Sequence, residues 1–320
     1  MSIRLAVVGL GMMGRYHVQK CHELSEVELV AVCDNCSDRA SDIAKGTNAT
    51  PYTSLERLLD NETLDGVCLA TPTSSHFDLT QQILSRGLHV LVEKPLSTTV
   101  SESDALIRLA KEKDLILMVG YIERFNPAIQ KLKECLVSGE LGEIVSLISK
   151  RLGPFPSRIK DTDVIVDVGV HDVDIFSYLL EQYPLKAQCY SGSALTQEKK
   201  DHAIIALDYG GVTGIAQVNW ITPIKVRELS VTCTQGYAHV NFLTQELTIS
   251  YSKYTKSVSE DGFDSINFED CTPQDVFVEK VDTLKEEIRH FSQAIQTNRQ
   301  TLIHAEAVCP SLKIVSELAK

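Results

Sequence analysis

The chain reads as a two-part α/β protein: an N-terminal doubly wound parallel sheet, then an α+β domain with a largely antiparallel, open-faced sheet. Three observations predict this. Apolar strand-like runs alternate with amphipathic helical stretches through the first third; the alternation changes near Tyr121; and beyond Gly142 strand-like runs follow one another directly. A chain of 320 residues also exceeds what one core comfortably fills.

In the first part the strand-like runs are Arg4 to Val8, Glu28 to Cys33, Gly66 to Ala70, His89 to Val92 and Leu115 to Val119. Leu55, Leu58 and Leu59 mark one helix face; Leu79, Ile83 and Leu84 mark another that stops at Gly87. Asn126 followed by Pro127 is an N-cap and first-turn pair, opening a helix that runs to Gly139. The boundary is therefore drawn there, giving domains of 1–121 and 122–320. In the second part, strands are expected at Val145 to Ser149, Ala187 to Tyr190, Ala203 to Tyr209, Thr213 to Trp220, Leu229 to Cys233, Ala238 to Phe242 and Leu247 to Tyr251. Gly210-Gly211 supplies a hairpin turn. Ser257 to Pro273 is polar and weakly periodic and reads as a loop, and two helices, Val278 to Thr297 and Ala305 to Leu318, close the chain.

Composition narrows the partners. With 43% hydrophobic and 23% charged residues, and no apolar run near the roughly 20 residues of a membrane helix, a spanning protein is excluded. A net charge of −12 argues against nucleic acid, so any anionic ligand must be held locally. Nine scattered cysteines, an odd number, and an opening without a cationic flank or cleavage site lead us to expect reduced thiols in a cytoplasmic protein.

Gly9-Leu10-Gly11-Met12-Met13-Gly14 follows a strand and opens a helix, the context a glycine fingerprint requires. Gly9 makes the tight turn, Gly11 lets the backbone approach a pyrophosphate, and Gly14 lets helix and strand pack closely. The helix start at Met12 and Met13 presents unpaired N–H groups to the phosphates. This is a Rossmann dinucleotide site. Asp34, twenty positions after Gly14, is placed to accept hydrogen bonds from an adenosine ribose and would repel a 2′-phosphate. NAD is expected, with NADP left open by Arg39 nearby. Cys33 and Cys36 form a CxxC, but there is no second one and Asp34 already explains the position, so no metal is expected.

Glu93-Lys94-Pro95 ends a strand at the carboxyl edge of the sheet, where a lysine meets cofactor and substrate together. The bland alternative is a surface ion pair of Lys94 with Glu93. Asp167 and His171 share a face if Asp167 opens the helix carrying His171, with Asp174 a turn further; a strand over Val164 to Val170, with a structural histidine, is the competing reading. In the first case the carboxylate orients the imidazole for proton transfer. Lys150 to Lys160 reads as a proline-stiffened loop with four cations, either a solvated run or an anion clamp built on Arg151 and Arg158.

These residues resemble the glucose-fructose oxidoreductase and inositol dehydrogenase family, Gfo/Idh/MocA, along essentially the whole chain. The resemblance rests on the glycine turn, Ala70-Thr71-Pro72-Thr73 with His76, Glu93-Lys94-Pro95, and Asp167 through His171 to Asp174. It implies that Thr71, Pro72, His76, Glu93 and Lys94 join the cofactor site and that Lys94, Asp167 and His171 line the substrate site as catalytic residues. Gly120 to Pro127 and Arg151 to Ile159 look like the branch of UDP-N-acetylglucosamine 3-dehydrogenases, which adds Arg124, Asn126, Arg151 and Arg158 as substrate contacts. The implied reaction oxidises C3 of a UDP-sugar, with His171 or Lys94 as general base. A free-sugar or inositol dehydrogenase and a catalytically silent sugar or cofactor sensor are the alternatives. The family also implies a homodimer or homotetramer.

Overall fold

The computed structural model describes residues 2–156, 162–197, 199–258 and 264–320. The elements fall into two compact units, 1–125 with 282–313, and 126–281 with 314–320.

The first unit alternates strand and helix: β1 (Ile3–Val8), α1 (Met12–Glu23), β2 (Val27–Cys33), α2 (Ser37–Ala44), β3 (Thr50–Tyr52), α3 (Leu55–Asn61), β4 (Gly66–Leu69), α4 (His76–Ser85), β5 (His89–Glu93), α5 (Val100–Glu112) and β6 (Leu117–Gly120). The six strands are parallel in the order β3-β2-β1-β4-β5-β6. Order reverses between β1 and β4, and the loops after β1, β2, β4 and β5 all leave the carboxyl edge, where such sheets bind ligands. Near-continuous burial of Leu5 to Val8, Val30 to Cys33 and Val90 to Val92 reflects helices on both faces.

The second unit opens with α6 (Pro127–Val137), capped by Asn126 as its sequence requires: the side chain accepts from Ala128 N. Then come β7 (Ile144–Pro154), α7 (Val170–Leu180), β8 (Lys186–Gly192), β9 (His202–Asp208), β10 (Thr213–Asn219), β11 (Ile221–Cys233), β12 (Gly236–Asn241), β13 (Glu246–Tyr251), β14 (Tyr254–Val258), β15 (Asp264–Phe268) and β16 (Gln274–Val276). Eight strands form one sheet, β16-β13-β12-β11-β7-β10-β9-β8, antiparallel except for the parallel pair β7 and β10. Gly210 and Gly211 turn β9 into β10 with φ of +78° and +117°.

Three sequence expectations change. The stretch read as a loop from Ser257 holds part of a two-stranded sheet, β14 with β15. Its residues are mostly exposed, so no buried face imposed an apolar alternation to read. The loop expected from Lys150 begins as the end of β7, so Lys150 points outward while Arg151 points into the core. The third concerns the boundary. The last helices, α8 (Thr283–Thr297) and α9 (Ala305–Leu318), fall within the expected domain 122–320, yet α8 and most of α9 belong to the first unit. Leu284, Ile288 and Phe291 of α8 are buried there, and Phe291 and Ile295 lie within van der Waals reach of Gly66 at the start of β4. Backbone 303–304 then seals the β6 edge, with Val119 N donating to Ile303 O at 3.1 Å. Among the described residues, no helix is long and apolar enough to cross a membrane.

Candidate active site

In the first unit the glycine turn is built by steric necessity. Gly9 has φ of +87°, and a Cβ there would lie 2.7 Å from the carbonyl oxygen of Ala70, across the strand-order reversal. A Cβ on Gly14 would lie 1.8 Å from the Gly9 carbonyl oxygen. Gly11 is different: a Cβ there meets no atom of the described residues within 4 Å. Its hydrogen therefore serves no internal packing, and the turn offers a cradle that a side chain would fill. Gly11 is also the N-cap of α1 and makes no side-chain cap bond, so the exposed start at Met12 and half-buried Met13 presents first-turn N–H groups. These features fit a pyrophosphate.

Asp34 directly follows the second strand and is 7% exposed. Its carboxylate accepts from Leu10 N at 2.8 Å, Cys36 N at 2.9 Å and the Arg39 guanidinium at 2.9 Å. Burial alone would raise its pKa; the two backbone N–H groups and Arg39 outweigh it and hold the carboxyl below its usual range. Asp34 thus stays ionised and fastens β2 to the glycine turn. Arg39 reaches the carboxylate with a side chain that is 41% exposed. The CxxC at Cys33 carries a thiol pushed up to about 11 by burial and by Asp34, which makes it a poor thiolate.

Thr71 and Pro72 follow β4 at the same edge. His76, expected as a cofactor contact, is 1% exposed and its ring is committed elsewhere: Nε2 lies 2.8 Å from Thr71 O and Nδ1 2.8 Å from Pro95 O. It therefore holds two loops of the edge together. Half-buried Lys94 stands between Glu93 and Pro95, and the Lys94–Pro95 peptide bond is cis. Glu93 is not an ion-pair ornament at the surface; its Oε1 lies 3.0 Å from Nε2 of buried His17 on α1. Sequence reasoning missed His17. The available signal was its place on the face of α1 that also carries Gly14 and Cys21 toward the sheet.

In the second unit Asp167 lies in a π-helical turn, Ile165–Gly169, that runs directly into α7. The strand alternative for this segment is excluded. The Asp163 carboxylate starts the turn, accepting from Ile165 N at 3.0 Å and Val166 N at 3.1 Å. Burial pushes Asp163 up, and the neighbouring Asp167 adds to that push against the two N–H groups. Asp167 and His171 are both half-buried within a stretch whose other residues are mostly buried. Asp174 is instead 1% exposed. Such π turns displace side chains from regular helical register and recur at functional sites.

The expected substrate cations fare differently. Arg151 is 4% exposed, donates from Nε to Asp172 at 3.2 Å, and lies 4.8 Å from the Phe242 ring centre. An arginine so enclosed is a core element of the second unit, not a surface clamp, because strand alternation turns it inward. Arg124 is 5% exposed and donates to Leu302 O at 3.2 Å and Ala307 O at 3.4 Å, pinning the start of α9. Asn126, 1% exposed, donates to Phe242 O at 3.1 Å besides capping α6. Both are thus occupied with the fold. Arg158 lies outside the described residues.

Comparison with known proteins agrees with this layout. Residues 3–121 match the description "Oxidoreductase family, NAD-binding Rossmann fold", and residues 129–239 match the Gfo/Idh/MocA C-terminal domain. The chain is 33% identical over 299 residues to a UDP-N-acetylglucosamine 3-dehydrogenase of Acidithiobacillus ferrooxidans, covering 93% of this chain and 90% of that protein. A solved structure of the A. ferrooxidans enzyme superposes with a TM-score of 0.88 at 29% identity, covering 100% of this chain and 97% of that one. A scyllo-inositol 2-dehydrogenase (NAD(+)) of Bacillus subtilis is 32% identical over 189 residues, 56% of this chain and 54% of its own. Matches on this scale, spanning both units, establish that the chain belongs to the Gfo/Idh/MocA oxidoreductase family and that its first unit is an NAD-binding Rossmann domain.

Proposed function

We propose that this oxidoreductase oxidises a ring hydroxyl of a nucleotide sugar to a ketone, with C3 of UDP-N-acetylglucosamine as the substrate position. The observation that carries this reading is the near full-length similarity to the A. ferrooxidans UDP-N-acetylglucosamine 3-dehydrogenase. Bound NAD would supply the hydride acceptor. Gly11 and the start of α1 hold the pyrophosphate, and Asp34 holds the adenosine ribose. His171 takes the hydroxyl proton as general base, Asp167 orients its imidazole, and Lys94 stabilises the developing alkoxide. Removal of the hydroxyl proton develops negative charge on the oxygen, and a fixed cation there lowers the cost of that proton transfer.

A second reading, oxidation of a free sugar or an inositol, draws on two observations: the similarity to scyllo-inositol 2-dehydrogenase, and the burial of Arg151, which leaves the diphosphate without that expected clamp. Steady-state rates with NAD and UDP-N-acetylglucosamine, UDP-glucose, free N-acetylglucosamine and myo- and scyllo-inositol separate the two. Turnover confined to UDP-sugars is expected. Turnover of an inositol alongside inert UDP-sugars overturns the first reading.

We also propose a homodimer or homotetramer formed on the outward face of the large sheet. Tyr190, Ile204 and Ile148 stand on that face at 71%, 47% and 43% exposure, and strand register sets them on the same side. Light scattering on the purified chain is the direct check.

A further inference from the structure

The two residues flanking Lys94 are each held by a buried histidine. On one side, His17 Nε2 lies 3.0 Å from the Glu93 carboxylate. On the other, His76 Nδ1 lies 2.8 Å from the Pro95 carbonyl oxygen. Both imidazoles are 1% exposed, and all four residues belong to the first unit.

The chemistry of the contacts limits which atoms can donate. The second ring nitrogen of His76 lies 2.8 Å from Thr71 O, so both nitrogens face carbonyl oxygens, which only accept. A neutral imidazole offers one N–H; satisfying both carbonyls requires the doubly protonated ring. Burial by itself would push the Glu93 carboxyl up, but the hydrogen bond from His17 and the charges of His17, Lys94 and His76 hold it below its usual range. Glu93 is therefore an ionised acceptor, and His17 donates to it through Nε2–H.

The placement of the two rings gives the arrangement its purpose. β5 ends at Glu93, so the sheet's own hydrogen bonds do not extend over Lys94 and Pro95. His17 belongs to α1, one turn beyond Gly14, and His76 opens α4 just after Thr71 and Pro72. Each ring thus links the Lys94 segment to an element already assigned to the cofactor.

We propose that His17 and His76 are positioning residues for Lys94, bracing its backbone from both sides so that its ammonium keeps one fixed place relative to the cofactor-binding turns. The proposal rests on the reading above that Lys94 acts at the reactive end of that site. A lysine has four rotatable side-chain bonds, so a free backbone would add to an already large spread of ammonium positions; displacement of about 1 Å is enough to cost about a hundredfold in rate.

The test uses the full chain with His17→Met, which keeps bulk and removes the donor, His17→Gln, which keeps a donor, and His76→Leu. Two readouts are taken beside thermal stability. The first is kcat and KM with NAD and UDP-N-acetylglucosamine; the second, independent of turnover, is the pH titration of the Lys94 dimethylamine signal after reductive 13C-methylation, assigned by its loss in Lys94→Arg. His17→Met and His76→Leu are expected to lower kcat about tenfold or more and to move the Lys94 signal, with NADH affinity within about threefold of the parent. His17→Gln is expected to recover most of the loss. A folded His17→Met and a folded His76→Leu with unchanged kcat and an unmoved Lys94 signal overturn the proposal. Should either fail to fold, Glu93→Gln, which keeps the shape and removes the charge that His17 grips, is read by the same two measures: a lower kcat with a moved Lys94 signal supports the bracing, and no change in either overturns it. Lys94→Ala separates the levels: if it is inactive while the histidine variants are normal, the bracing idea alone fails; if it is fully active, the role of Lys94 fails and the proposal with it.

Discussion

A methyl group placed on Gly14 would lie 1.8 Å from the carbonyl oxygen of Gly9, whereas one placed on Gly11, between them in the same turn, would touch nothing within 4 Å. The first contact is backbone and cannot yield. Gly14→Ala is expected to lower stability by about 1 to 3 kcal/mol or more through overpacking, read as a lower urea midpoint. Gly11, with φ of −65°, accepts a side chain without strain. Gly11→Ala should keep the parent midpoint and weaken NADH binding about tenfold or more, measured by fluorescence titration. An equal loss of stability in both variants would contradict the assignment of Gly11 to a ligand.

The proposed place of Asp34 at the adenosine ribose predicts a preference for NAD over NADP. Asp34→Ser removes the carboxylate that Arg39 now pairs with, and releases that guanidinium toward any 2′-phosphate. The ratio of kcat/KM for NADP over NAD is expected to rise about tenfold or more, chiefly through KM. A parallel fall for both cofactors would mean that Asp34 serves only the Leu10 and Cys36 backbone.

Glu287 on α8 predicts a pH dependence of stability. It is 0% exposed, neither carboxylate oxygen has a hydrogen-bond partner among the described residues, and burial, with the charge of Glu93 added, raises its pKa well above the ordinary 4.5. Below the ordinary value both folded and unfolded chains carry the proton, and burying the neutral acid is at its least costly. As pH rises beyond it, the unfolded chain releases the proton and the folded one does not, so stability falls until the folded group finally ionises. Glu287→Gln lacks this slope. Its advantage over the parent should widen with pH by up to about 1.4 kcal/mol per pH unit, seen in urea midpoints between about pH 5 and about pH 8. Parallel curves would show that Glu287 is not held neutral.

Arg151 and Asp172 form a pair at 4% and 1% side-chain exposure. Arg151→Met leaves a carboxylate in the core and is expected to cost about 3 to 5 kcal/mol, while adding Asp172→Asn should return a large part of it. If Arg151 instead served the diphosphate, Arg151→Met would raise KM for the UDP-sugar with stability unchanged.

Much of the fold was legible because its signals are local. The strand cores at Leu5 to Val8 and Val90 to Val92, the Asn126-Pro127 start of α6 and the Gly210-Gly211 hairpin each follow from a few neighbouring residues. The glycine turn was legible for the same reason: Gly14 meets its steric constraint, the Gly9 carbonyl oxygen, within one turn, and the spacing of the three glycines is itself local. The pair β14 and β15 was illegible because residues such as Val258 and Phe268, at 68% and 69% exposure, leave no buried face to set a period.

The sequence by itself determined the dinucleotide turn, the carboxylate at Asp34, the lysine at a strand end and the family, since each is a short pattern whose chemistry depends on spacing alone. Only the tertiary structure decided that α8 packs on β4, that Arg151 turns inward to Asp172, and that His17 and His76 grip the residues on either side of Lys94. Those choices join groups far apart in the chain. A buried charge or imidazole takes whichever partner the packed core brings within about 3 Å, and spacing along the chain does not encode that distance.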